Sequence, residues 1–168
     1  MIQDVTAESC VAFALKTEEM GAELYQGLAR KFAADVELRD LFERLAAEEV
    51  DHAEQIRTMG ERLVPRLRDR PLSAEEQDYL RAMTMSDIFS RAWGPAVDIG
   101  NVRTREDALK RALQLEKTTL AYYQAVRDVV GSEAVLDSLI AMERKHVAKV
   151  MALLVGEMML RGLADSAG

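Results

Sequence analysis

The chain contains two histidines, His52 and His146, and each follows a glutamate by three residues, in Glu49-Val-Asp-His52 and Glu143-Arg-Lys-His146. On a helix that spacing places a carboxylate and an imidazole on one face, about one turn apart. Such a pair can reach one metal ion or two adjacent ones, and its mixed oxygen and nitrogen donors suit iron, manganese or zinc. A lone Glu-x-x-His is by default a surface pair. With glutamate at 17 of 168 positions, one such pair is an ordinary accident, but two that use up every histidine are not.

Two further glutamates match them. Glu18 stands among Ala14, Leu15, Gly21 and Ala22, and Glu116 among Ala112, Leu113 and Leu120. Glu49 and Glu143 share helix faces with Leu45, Ala53 and Ile56, and with Leu139, Ile140, Val147 and Val150. Four carboxylates therefore lie in apolar stripes, where an unpaired charge costs several kcal/mol. None of these neighbours is Lys or Arg, and Lys149, a turn beyond His146, could answer only one of the four. Two divalent cations would answer them all.

These residues need four long helices to position them. Thr6 or Ser9 can cap the first, which carries Val11, Ala14, Leu15, Leu24 and Leu28 at helical spacing to about Phe32. Asp35 is an N-cap for the second, through Leu38, Leu41, Phe42, Leu45 and Ile56 to about Leu63, where Pro65 and Pro71 should stop it. Thr104-Arg-Glu-Asp107 resembles a capping box opening the third, and Gly131-Ser132 reads as its end followed by the cap of the fourth, which runs from Glu133 to about Arg161. The connection over 64–103 is too long for a plain loop. It should hold short helices, one capped in Ser73-Ala-Glu-Glu76 and one over Asp87 to Trp93, stopped by Gly94-Pro95. The expectation is a single all-α domain over 1–168: hairpins at about 7–63 and 104–161, joined by a long crossover.

The two hairpins repeat each other. Ala14-Leu-Lys-Thr-Glu18 with Tyr25 echoes Ala112-Leu-Gln-Leu-Glu116 with Tyr123, and Leu45, Glu49, His52 echo Leu139, Glu143, His146. Counted from each turn at about 1.5 Å per residue, all six donors fall at closely matching heights in the bundle. Tyr25 and Tyr123 follow Glu18 and Glu116 by seven residues on the same face. Helical side chains lean toward the N-terminus, so their hydroxyls could hydrogen-bond ligating carboxylates.

Composition removes other classes. A net charge of −7 and no basic stripe argue against nucleic acid. Cys10 alone can form neither an internal disulfide nor a cysteine-rich metal site, and packing explains it best. The stretch Val147 to Leu160 is interrupted by Lys149 and Glu157 and is too short to span a bilayer. With no signal-peptide pattern at Met1-Ile-Gln-Asp4, a cytoplasmic protein is the expectation.

Four inward carboxylates with two Glu-x-x-His pairs resemble the ferritin-like di-iron proteins. Ala14-Leu-Lys-Thr-Glu18-Glu-Met-Gly21-Ala-Glu-Leu-Tyr25 looks like the first helix of the rubrerythrin family, and Leu45-Ala-Ala-Glu-Glu49-Val-Asp-His52 like its second. The resemblance implies a ferritin-like four-helix bundle with two iron ions per chain. Glu18, Glu49, His52, Glu116, Glu143 and His146 would hold them, with Glu49 and Glu143 bridging. It also implies reaction with hydrogen peroxide or dioxygen, an electron donor not readable from the chain, and a homodimer. The apolar end of the fourth helix, with Met151, Met158 and Met159, could form that contact. There are two departures from the family pattern. The four-cysteine rubredoxin-like domain common in the family has no counterpart here. The extra carboxylate many members carry one turn after the third-helix glutamate is replaced by Thr119, with Gly21 at the matching place in the first helix. The centre therefore looks more symmetric, as in bacterioferritin-type ferroxidase sites, and iron binding with ferroxidase activity but without peroxidase turnover is the alternative function.

Overall fold

The computed structural model describes residues 5–69, 71–85 and 99–166, and within these every regular element is a helix. Helix α1 (Ala7–Lys31) and α2 (Val36–Asp69) form one antiparallel hairpin, and α4 (Arg105–Val130) and α5 (Ala134–Ser166) form the other, with α3 (Ala74–Met85) between them. Across the bundle α1 faces α4 and α2 faces α5, while α3 lies against α4. The second crossover helix expected over Asp87 to Trp93 falls outside the described residues. No helix among the described residues is long and apolar enough to cross a membrane.

Local chemistry sets most boundaries. Thr6 and Ser9 act together: the Ser9 N–H donates to Thr6 Oγ1 at 3.1 Å and the Thr6 N–H donates to Ser9 Oγ at 2.9 Å, a reciprocal cap. The same device opens α4 through Thr104 and Asp107 and α3 through Ser73 and Glu76. Asp35 accepts from the Leu38 N–H at 3.1 Å. Helix α4 ends at Gly131 with φ of 86°, a left-handed conformation that glycine adopts without steric cost.

Two expected boundaries are corrected. Helix α2 does not stop before Pro65 but continues through it to Asp69. Pro65 is exposed, so the carbonyl it leaves without a donor can be hydrated, and the last turn survives. Ser132 is not the cap of α5. That helix starts at Ala134, its first bond runs from the Asp137 N–H to the Glu133 carbonyl, and the Ser132 hydroxyl reaches Asp137 instead. Helix α5 also extends five residues beyond the expected end at Arg161, to Ser166.

The apolar interior divides in two. One cluster centres on Ile56, Met59, Leu80, Tyr122, Leu136 and Leu139; the other on Leu28, Leu38, Phe42, Leu45, Leu109 and Val150. Leu45 and Leu139 are fully buried, and truncating either to alanine should cost roughly 2–5 kcal/mol. A layer of polar side chains separates the clusters, and every candidate metal donor lies in it.

Candidate metal centre

Helix α1 contributes Glu18, α2 contributes Glu49 and His52, α4 contributes Glu116, and α5 contributes Glu143 and His146. All six are at most 5% exposed. His52 Nδ1 lies 3.0 Å from Glu143 Oε1, 3.3 Å from Glu18 Oε2 and 3.4 Å from Glu49 Oε2. His146 Nδ1 lies 3.2 Å from Glu116 Oε2 and 3.7 Å from Glu143 Oε2. The imidazoles stack with centroids 5.4 Å apart. Two donor groups emerge, Glu18–Glu49–His52–Glu143 and Glu49–Glu116–His146, the ligand atoms of each within 4.8 Å of one another.

Hydrogen bonding matches this proximity only in part: His146 Nδ1 and Glu116 Oε2 are paired, but other donors are not. Glu18 Oε2, both oxygens of Glu143 and both ring nitrogens of His52 are buried without a hydrogen-bond partner. Atoms this close yet unaligned are directed at common points between them rather than at one another. Among the described residues no lysine or arginine pairs with any of the four carboxylates, and Lys149 is no exception. A cation of oxygen and nitrogen preference fits this donor set.

The protonation chemistry of the metal-free chain follows. Burial pushes the Glu18 and Glu49 carboxyls up, and the mutual repulsion of the carboxylates pushes them further. Burial raises Glu116 to about 7, against the pull of His146. Burial also works to raise Glu143, but His146 and His52 overcome it and hold that carboxyl low. Burial opposes charging of the imidazoles, yet Glu143, Glu18 and Glu49 lift His52 to about 12, and Glu116 and Glu143 lift His146 to about 10. The metal-free centre is thus a proton store, and cation binding must expel those protons.

A model of the rubrerythrin family matches residues 10–154, both hairpins and nearly all of the bundle. The chain belongs to the rubrerythrin family. No curated protein and no solved structure matches it. The family is one of di-iron carboxylate proteins, and this chain carries buried Glu/His groups able to bind metal.

The tyrosines of this chain reach across the bundle. The Tyr25 hydroxyl donates to Glu116 Oε1 and the Tyr123 hydroxyl to Glu18 Oε1, so each hairpin's tyrosine holds the other hairpin's glutamate. Helical spacing identified the face but could not name the partner. One residue was missed. Glu48 Oε2 stands 3.0 Å from His146 Nε2 without forming a hydrogen bond, so the ring nitrogen turned away from the centre lies beside a carboxylate of α2. Its one signal in sequence was its place directly before Glu49. Thr119 is buried. A Cβ at Gly21 would stand 3.4 Å from Glu49 Cδ, in ordinary van der Waals contact with that side chain. Tyr25→Phe and Tyr123→Phe should retain metal but change the rate or product of metal oxidation, because they orient carboxylates without supplying a ligand. Stopped-flow oxidation of each loaded variant reads this, and kinetics identical to wild type in both would make the tyrosines core residues only.

Proposed function

We propose that the chain is a di-iron oxidoreductase of rubrerythrin type that holds two iron ions and reacts with hydrogen peroxide or dioxygen. The observation that carries this reading is the layer of buried, convergent, unaligned donors. His52 and Glu18 would serve one ion, His146 and Glu116 the other. Glu49 belongs to both donor groups and Glu143 reaches toward both histidines, which supports these two as bridges. When bound, two adjacent ferrous ions supply two electrons together to an O–O bond. The chain's own part is to position and shield. The tyrosine hydroxyls hold Glu116 and Glu18, Glu48 faces the outer nitrogen of His146, and the apolar clusters above and below exclude water. Electrons for turnover would enter from a donor outside the six-residue centre.

Iron binding with ferroxidase activity but without peroxide turnover is the second reading, favoured by Thr119 at the position of the family's additional carboxylate, with Gly21 at the matching place in the first helix. Anaerobic iron loading followed by stopped-flow mixing with peroxide and with dioxygen decides between them. The first reading expects oxidation of a bound pair and repeated turnover when a reductant is supplied. Oxidation followed by iron release or mineral growth supports the second, and a protein that takes up no iron defeats both.

The partner we propose is a second copy of the chain. Beyond Val155, α5 exposes Met158, Met159, Leu160 and Leu163 at 53–67% each, an apolar surface of a kind seldom left bare. The crossover residues Ile88, Phe89 and Trp93 lie outside the described residues. Truncation after Val155 should weaken dimerisation more than metal binding, read by analytical ultracentrifugation beside metal titration. A wild-type monomer at micromolar concentration would refute the dimer.

A further inference from the structure

Beside the centre, α1 and α2 leave a groove of about 430 Å³ whose lining includes Glu18, Glu19, Glu49, Asp51, Glu54 and Arg57. Its inner wall is two of the buried carboxylates, and its outer wall is three acids at the surface. Ala22 and Ala53, both small, lie between. Glu18 Oε2, at the inner end, is buried without a hydrogen-bond partner, so the groove leads to an atom that needs a cation. A second groove between the same helices has similar volume, about 450 Å³, but carries Arg30 and Arg39 and none of the six donors.

We propose that the acidic groove is the route by which a divalent cation reaches the centre, with Glu19, Asp51 and Glu54 receiving it from water and Glu18 and Glu49 drawing it inward. This rests on the reading of the six residues as a metal centre. The outer acids are free to serve as a transit station. Glu19 is 55% exposed and pairs only loosely with Lys16, at 3.5 Å, and Glu54 is 69% exposed beside Arg57. Exposed pairs of this kind are worth little and exchange readily. Three surface carboxylates, Glu19, Asp51 and Glu54, against the guanidinium of Arg57 make the mouth of the groove negative, which raises the local cation concentration and the on-rate while adding little to final affinity. Arg57 is the opposing charge in the groove lining, positioned to slow passage.

Cobalt(II), which does not oxidise on binding, tests this when mixed with the metal-free full chain, with uptake followed by its absorption. The variant Glu19→Gln/Asp51→Asn/Glu54→Gln should load about tenfold more slowly, reach the same final cobalt content, and lose most of the wild-type sensitivity to salt. Arg57→Gln should load faster. A control with the same change of net charge elsewhere, Glu61→Gln/Glu75→Gln/Asp128→Asn, should load at the wild-type rate. Wild-type rates in the groove variant, or equal slowing in the control, would overturn the route. A wild-type chain that takes up no cobalt would instead defeat the metal reading on which it rests.

Discussion

Replacing both His52 and His146 by alanine should reduce bound metal from about two ions per chain to a small fraction, while helix content stays near the wild-type level. Among the described residues the imidazoles are the nitrogen donors of the layer, and each belongs to one donor group. Without them each site retains carboxylates alone, still crowded and still buried, and divalent iron or zinc loses its preferred mixed coordination. The helices themselves rest on the two apolar clusters above and below, so circular dichroism should change little. Metal analysis after mild purification gives the result, and full occupancy in the double variant would sink the six-residue site.

Removing the metal should cost stability, and more of it as the pH rises. Glu18, Glu49 and Glu116 have raised carboxyls in the metal-free fold. The folded chain then keeps protons that the unfolded chain releases above about 4.5, and stability falls from there until Glu116 titrates near 7. The histidines continue the trend. Their contribution is complete below about 6.5 and is lost as pH rises toward about 10 for His146 and about 12 for His52. Glu143, held low, acts in the opposite sense, but only below the ordinary carboxylate range. The metal-free chain should therefore melt lower at pH 8 than at pH 5.5. The loaded chain gains affinity over the same interval because fewer protons compete. At a free-metal concentration a thousand times Kd the gain is about 4 kcal/mol, or about 10 °C in Tm for a domain of this size. A gap between loaded and metal-free Tm that narrows from pH 5.5 to 8 would contradict the proton-store description.

Much of the centre was legible because its signals are periodic. Glu49 with His52 and Glu143 with His146 share a face by spacing alone, and the hairpin repeat aligned Glu18 with Glu116. What escaped depends on geometry between helices. The period places Tyr25 on the inner face, but only the packing of α1 against α4 shows that its hydroxyl serves Glu116 rather than Glu18. Glu48 escaped because it lies one position off the ligand stripe, turned toward a neighbouring helix. Pro65 misled because the cost of proline depends on whether the orphaned carbonyl can meet water, which burial decides and composition does not. At Ser132 the residue type was right for a cap, but the start of α5 is shifted, and such ends are the least determined part of a helix.

The crossed tyrosines bear on how such a centre could have arisen. Neither hairpin carries a finished half-site, since Glu18 is held by Tyr123 and Glu116 by Tyr25. An ancestor of one hairpin would have met this requirement only as a symmetric pair of identical chains, each supplying the clamp for its twin. Duplication and fusion would then preserve every contact while freeing the two halves to diverge. The sequence carries the mark of such divergence: Glu48 precedes Glu49 in the first half, where Met142 precedes Glu143 in the second. Among the described residues one imidazole thereby has an outer carboxylate beside it that the other lacks, and a symmetric frame now carries two unequal donor groups.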